Sequence, residues 1–218
     1  MIAGVWYPGG IKTPRRSAAR ILAAVALVSL AGCRAVVAGP ARQPPGPARA
    51  PASGSAPAAA GPAGLAAVHD PRRVTGTITG TCRYRDGGKL PDPRCTPGAI
   101  DPAVTQANIH RTICVSGYTK KVRPPAEQTD RFKYEVAYPA YGDPRGMRTE
   151  LDHLVSLELG GSNDAANLWP ESPPSPNPKD RVENALHEAV CDGRVSLAAA
   201  QRAIAGDWMT AEASLGLE

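Results

Sequence analysis

Three short blocks between residues 149 and 171 decide the fold. They read Thr-Glu-Leu-Asp-His-Leu at 149–154, Leu-Gly-Gly-Ser-Asn-Asp at 159–164 and Asn-Leu-Trp-Pro-Glu at 167–171. The set combines an Asp-His pair, a glycine loop and an Asn-Leu pair, and it is much more specific than an isolated Asp-His pair. The chemistry of this chain is therefore expected in this part of the sequence.

The segment that follows, 178–191, predicts a helix. Asn177 is a suitable N-cap and Pro178 fits the first helical position, while Val182 and Leu186 fall on one face. A second helix is predicted over 197–205, where Ser196 precedes an alanine-rich run.

The three blocks and the helix resemble the ββα-metal core of HNH endonucleases. The resemblance covers about 149–191, and the neighbouring strings at 96–122 and 195–208 resemble actinobacterial secreted proteins that carry this core. It implies a small α+β domain and metal-dependent hydrolysis of phosphodiester bonds in DNA or RNA. Sequence preference and biological role do not follow from it.

The resemblance assigns roles to three residues, and the chemistry of two of them agrees with those roles. His153 suits a general base, because histidine titrates nearest to neutral pH. Asp152 offers hard carboxylate oxygen to a divalent cation, with Mg²⁺ expected first and Mn²⁺ or Zn²⁺ as alternatives. In the family, an asparagine of the second strand orients the base through its side chain or carbonyl, and at that position this chain has Asn167.

The remaining metal ligand is expected on the helix. Glu183 and His187 are four residues apart and so share a face, and both are candidate ligands. Asn184 competes with them. The proline-rich segment 172–177 lengthens the turn before the helix relative to the family pattern, so spacing alone does not decide among the three.

Charge is distributed unevenly along the chain. Residues 69–148 carry 14 basic and 8 acidic side chains, whereas residues 149–218 carry 4 basic and 12 acidic ones. If the acidic part binds a polyanion such as nucleic acid, it would need a bound cation to offset its own negative charge. Two ordinary solvated surfaces explain the charges equally well. Lys120, Lys121 and Arg123 are candidate phosphate contacts, or else the solvated edge of a strand.

Residues 1–32 resemble a bacterial lipoprotein signal peptide. Four basic residues precede the apolar run at 21–31, which is too short to span a membrane, and Leu-Ala-Gly-Cys follows at 30–33. Cys33 is then expected to be the acylated first residue of the mature chain. An ordinary secretory signal with a coincidental cysteine is the alternative.

Residues 33–68 are predicted to be a disordered tether. The segment is rich in Ala, Pro and Gly and has no aromatic and no acidic residue, so it cannot bury enough surface to offset its ordering entropy. The tether would connect the folded domain to the lipid anchor on the outer face of the membrane. The alternative location is extracellular. The sequence indicates no protein partner.

Four further cysteines predict two disulfides, because an even number in an exported domain is typical of a disulfide framework. Of three possible connectivities we favour Cys82–Cys95 with Cys114–Cys191. A structural zinc site is the alternative, although no C-x-x-C pair is present.

Residues 69–148 are expected to form a basic, β-rich part of the domain, and 149–218 the HNH-like core plus a C-terminal helix. Two strands are predicted, over 74–81 and 112–122, because both runs are rich in Val, Ile and Thr. Three functions stay open: a nuclease, a catalytically inactive HNH-like envelope module, and a zinc-stabilised domain.

Overall fold

A two-stranded antiparallel sheet followed by a long helix forms the centre of the domain. Strand β3 (Glu150–His153) pairs with β4 (Leu168–Glu171), with Asp152 opposite Trp169 and His153 opposite Leu168. All four residues of β4 are buried. The computed structural model describes residues 64–217, so the predictions for the signal peptide and for Cys33 lie outside the described residues.

Helix α4 (Pro178–Cys191) confirms the predicted helix at both ends. The Asn177 side chain accepts hydrogen bonds from the backbone N–H groups of Lys179 (2.8 Å) and Asp180 (3.3 Å), which satisfies two of the free donors of the first turn. Its apolar face is buried against α5 (Leu197–Asp207) and α6 (Ala211–Ser214).

The second predicted helix is confirmed as α5, which begins after the Ser196 cap as expected. It ends two residues later than predicted, at Asp207. The Asp207 side chain then accepts a hydrogen bond from Met209 N and starts a 3₁₀ turn over Trp208–Thr210.

The chain begins to fold earlier than predicted. Strand β1 (Ala66–Ala67) pairs in parallel with β2 (Ala99–Ile100), and Val68 N donates to Ile100 O at 2.9 Å. These residues fall within the predicted tether at 33–68. Leu65 adds an apolar contact to the core. Because backbone pairing does not require apolar side chains, the composition of the segment does not predict this pairing.

Both strands predicted in the basic part were wrong, and 69–148 is not β-rich. Within 112–122 the chain turns at Gly117, which has φ 79°, and enters helix α1 (Tyr118–Val122). Within 74–81 only Thr75 forms a bridge, to Asp164, and Gly76 and Gly80 both have positive φ. Among residues 64–217 neither run has a neighbouring strand to pair with, and β propensity alone does not hold an unpaired strand.

The rest of this part is helical or irregular. Helix α2 (Ala126–Phe132) continues through a π-helical turn at Lys133–Ala137 into α3 (Tyr138–Tyr141). The 3₁₀ turns at Leu157–Leu159 and Ala165–Asn167 lie in the connection between β3 and β4.

Both predicted disulfides, Cys82–Cys95 and Cys114–Cys191, are confirmed. The second joins the segment before α1 to the last residue of α4. The domain is thus a small mixed α+β fold with two disulfides, which indicates a location outside the cytoplasm. Within residues 64–217, no helix combines the length and the apolar character needed to cross a membrane.

Candidate active site

Asp152 of β3 and Glu183 of α4 meet at the ammonium group of Lys179. Lys179 Nζ lies 2.7 Å from Asp152 Oδ2, donates to Glu183 Oε1, and lies 3.0 Å from the backbone oxygen of His153. The Lys179 residue is 0% exposed. Burial lowers the pKa of Lys179, but the negative charges of Asp152, Glu183 and Glu171 together raise it by more than burial lowers it. The net pKa is therefore raised, and the ammonium group stays charged.

Glu171, at the end of β4, completes this carboxylate cluster of Asp152, Glu171 and Glu183. It is buried, and burial followed by the charge of Asp152 raises the pKa of Glu171 to about 9. Burial also raises the pKa of Glu183 to about 8. The cluster therefore holds more acidic groups than one ammonium neutralises.

Sequence reasoning missed Glu171, although a signal for it was present. Successive residues of a strand point to opposite faces, so Glu171 shares a face with Trp169, the partner of Asp152 across the sheet. The Trp169 indole N–H donates to Asp152 Oδ2 at 3.2 Å and fixes that carboxylate.

His153 points away from this cluster into a buried polar pocket. The residue is 4% exposed, and its Nε2 lies 2.9 Å from Asn163 Oδ1. Within residues 64–217, Nδ1 of the ring has no hydrogen-bond partner. Burial lowers the pKa of His153 to about 4, the charge of Asp152 and the hydrogen bond to Asn163 acting in the opposite direction, so the imidazole is neutral at neutral pH.

The asparagine that holds the ring is Asn163, and the expectation for Asn167 was wrong. The Asn167 side chain accepts from Val155 N (2.9 Å) and Ala99 N (3.3 Å), and it donates to Val155 O and Ser162 O, both at 2.9 Å. Its backbone oxygen accepts from Leu154 N. Asn167 therefore fastens the connection between β3 and β4, and all its polar atoms are used there.

His187 lies one turn beyond Glu183 but makes different contacts. Its Nε2 is 3.0 Å from Ile113 O and 3.4 Å from Cys191 Sγ. Asn184 is exposed and donates to Asp180 O. Of the three candidate helix ligands, Glu183 is the one whose side chain joins Asp152.

His187 instead belongs to a group with Cys114 and Cys191. The donor atoms of these three residues lie within 4.8 Å of one another, so the group could hold a metal ion. A cavity of about 340 Å³, lined in part by Glu158, borders it. Since Cys114 and Cys191 are joined as a disulfide and thiolate is the metal-binding form of cysteine, such binding would require reduction.

The basic residues Lys120, Lys121 and Arg123 are exposed at the end of α1 and just after it. The backbone oxygen of Val122 accepts from Asn163 Nδ2 at 3.1 Å, so this segment lies beside the asparagine that holds His153. The charge of Arg123 contributes to the lowered pKa of His153.

Comparison of this chain with protein-family models, with curated proteins and with solved structures finds no match. The arrangement of side chains is therefore the basis for assigning a function. A partly buried carboxylate cluster can bind a cation, and a neutral imidazole held at one nitrogen can accept a proton at the other.

Proposed function

We propose that this chain is an HNH-type, metal-dependent endonuclease that hydrolyses phosphodiester bonds in nucleic acid. The observation that carries the proposal is the convergence of Asp152 and Glu183 on one cationic centre, with His153 next to Asp152 in the same strand. A carboxylate on a strand, a second on the following helix and an adjacent histidine are the groups that the proposed chemistry needs.

The carboxylate cluster would hold a hard divalent cation such as Mg²⁺, with Mn²⁺ or Zn²⁺ as alternatives. Asp152, Glu171 and Glu183 offer carboxylate oxygens, the ligands that Mg²⁺ prefers. Burial is the largest cause of the raised pKa values of Glu171 (about 9) and Glu183 (about 8), and a divalent cation would favour the ionised form of both groups. When bound, the metal would supply positive charge to the phosphate as negative charge develops on it.

The residues of the chain supply the remaining steps. His153, neutral at neutral pH, takes a proton from the attacking water at Nδ1, while Asn163 holds Nε2 and fixes the ring. The Trp169 indole holds the Asp152 carboxylate in place. The ammonium group of Lys179 balances part of the negative charge of the cluster. For a metal to bind, Lys179 would have to release the carboxylate oxygens to which it now donates hydrogen bonds.

One observation favours a second function, that of a catalytically inactive envelope module. Lys179 is fully buried and already donates hydrogen bonds to carboxylate oxygens of both Asp152 and Glu183. An ammonium group in this position can serve as a permanent substitute for a metal. The domain would then keep the fold of a nuclease without its chemistry.

A plasmid-nicking assay on the purified chain tests the first function. We expect nicking with Mg²⁺, Mn²⁺ or Zn²⁺ and none with chelator. His153→Ala should lower the rate by roughly 10²–10⁴-fold while metal affinity stays nearly unchanged, and Asp152→Ala should weaken metal binding so that high metal concentration restores part of the activity. His110→Ala, at an exposed histidine, is the matched control. A folded wild type that nicks no plasmid with any of the three metals rules out a nuclease that acts on DNA.

Lys179→Met distinguishes the two functions. Removing one partner of a buried ion pair costs roughly 3–5 kcal/mol, so the variant should be strongly destabilised without metal. If the cluster is a metal site, Mg²⁺ or Mn²⁺ should recover much of this stability in thermal unfolding. A metal-insensitive loss of stability supports the inactive module.

A further inference from the structure

We propose that five basic residues from two distant segments form one phosphate-binding surface beside His153. This surface binds several consecutive phosphates of a nucleic-acid strand. This basic surface consists of Arg72, Arg73, Lys120, Lys121 and Arg123. The inference rests on the proposed nuclease function and names how its substrate is held.

A backbone hydrogen bond brings the two segments together. Arg72 N donates to Val122 O at 2.8 Å, so the two arginines of the first segment lie next to the end of α1. Arg72 has φ 61°, a left-handed conformation that is uncommon for a residue other than glycine. The turn at 71–73 is thus held against α1 despite an unfavourable backbone conformation.

Asn163 connects this surface to His153. Its Nδ2 donates to Asp70 O (3.0 Å) and to Val122 O (3.1 Å), one oxygen from each basic segment, while its Oδ1 faces His153 Nε2. The same amide therefore anchors both segments and the proposed base. A strand bound along the basic surface passes the residue that would activate water.

All five side chains are exposed and free to bind an anion. Within residues 64–217, none of them lies within 4 Å of an acidic side chain. Residues 1–69 contain no Asp or Glu, so the preceding part of the chain cannot neutralise them. Asp70, the acidic residue nearest to Arg72 in sequence, is buried and accepts hydrogen bonds from Asn163 N and Thr75 Oγ1.

Several cations spread over two segments suit a polymer with regularly spaced phosphates better than a single phosphate group. Phosphate contacts of this kind position a nucleic acid and make its binding depend on salt. An anionic membrane surface has the same charge, but its contact would not require the surface to lie beside His153. We therefore favour nucleic acid as the partner.

The test is binding of fluorescein-labelled 20-nucleotide single-stranded DNA, RNA of the same length and duplex DNA, by fluorescence anisotropy with chelator present. The full chain is compared with Arg72→Gln/Arg73→Gln, with Lys120→Gln/Lys121→Gln and with the control Arg202→Gln, an exposed basic residue on α5. Circular dichroism confirms that each variant is folded. The three labelled polymers show which nucleic acid is preferred.

We expect each double variant to weaken binding at least about tenfold at 0.1 M salt. The slope of log K against log salt should become less steep by about 1.4 on single strands, about 0.7 for each phosphate that the variant no longer neutralises. Arg202→Gln should bind as the wild type does. Because cleavage is blocked, this result supports the basic surface even if no plasmid is nicked in the assay above.

Two results would overturn the inference. One is unchanged affinity and salt slope in the Arg72→Gln/Arg73→Gln variant. The other is that vesicles containing phosphatidylglycerol bind the wild type and release this variant, while none of the three nucleic acids binds at all.

Discussion

The Asn163 side chain determines which ring nitrogen of His153 is free. Its Nδ2 donates to two backbone oxygens, so its Oδ1 must face the ring, and His153 Nε2 then carries the hydrogen at 2.9 Å. Nδ1 is left with its lone pair. The proton acceptor in the proposed reaction is therefore specified by an amide that lies ten residues along the chain.

Asn163→Asp should raise the pKa of His153 above its value of about 4. A carboxylate at this position favours the imidazolium form, because it accepts a charge-assisted hydrogen bond from it. The measurement is an NMR pH titration of the His153 ring protons, with the exposed His110 as internal control. An unchanged His153 titration would show that the two side chains do not interact in solution.

The burial of His153 should make the protein less stable in acid. The folded-state pKa of about 4 lies below the ordinary value of 6.5, so between these values the unfolded chain binds the proton and the folded chain does not. This stability is complete above pH 6.5 and is lost as pH falls towards 4, by about 3 kcal/mol. Urea unfolding of wild type and His153→Gln over this range isolates the effect, since other titrating groups are common to both. Parallel pH profiles would contradict it.

Glu171 should have the opposite effect. Its pKa is raised from 4.5 to about 9, so the folded chain keeps a proton that the unfolded chain loses, and stability falls as pH rises from 4.5 to 9. As the pH rises from 5 to 9, the stability of Glu171→Gln relative to the wild type should therefore increase by at least about 1 kcal/mol. Chemical unfolding at the two pH values measures this gain. Glu188→Gln, at an exposed position of α4, should follow the wild type.

Removing Cys114–Cys191 should cost more stability than removing Cys82–Cys95. The sequence separations are 77 and 13 residues, and the chain entropy of the unfolded state gives about 4 and about 3 kcal/mol respectively. Urea unfolding of the two double Cys→Ala variants compares them directly. The reverse order would mean that local packing around the cysteines, rather than loop length, dominates.

The sequence predicted α4 well because its signals are local. The Asn177 cap, Pro178 and the spacing of Val182 and Leu186 all lie within the helix or next to it. The run at 112–122 shows the opposite case. Its β-prone residues lie where the described part of the chain offers no neighbouring strand, and Gly117 turns the chain into α1, so its structure depends on the whole fold.

The candidate site was predictable to a similar extent. The Asp152–Glu183 convergence follows from a strand end and a helix face, both of which the sequence indicates. Lys179 was missed, because a lysine in the first turn of a helix is normally solvated, and its burial here depends on carboxylates from three separate elements. The family pattern pointed to Asn167 as the partner of His153, and the tertiary path of the chain places Asn163 there instead.

The Cys114–Cys191 bond encloses α1, the two central strands and all of α4 within one covalent ring. Lys120 and Lys121 are exposed within that ring and present cleavage sites to trypsin-like proteases, whereas Pro124 protects the bond after Arg123. A single cut there would leave the two fragments joined through sulfur. The clipped protein would then migrate as one species on a non-reducing gel, and it would keep Asp152, His153, Lys179 and Glu183 on one uncut fragment.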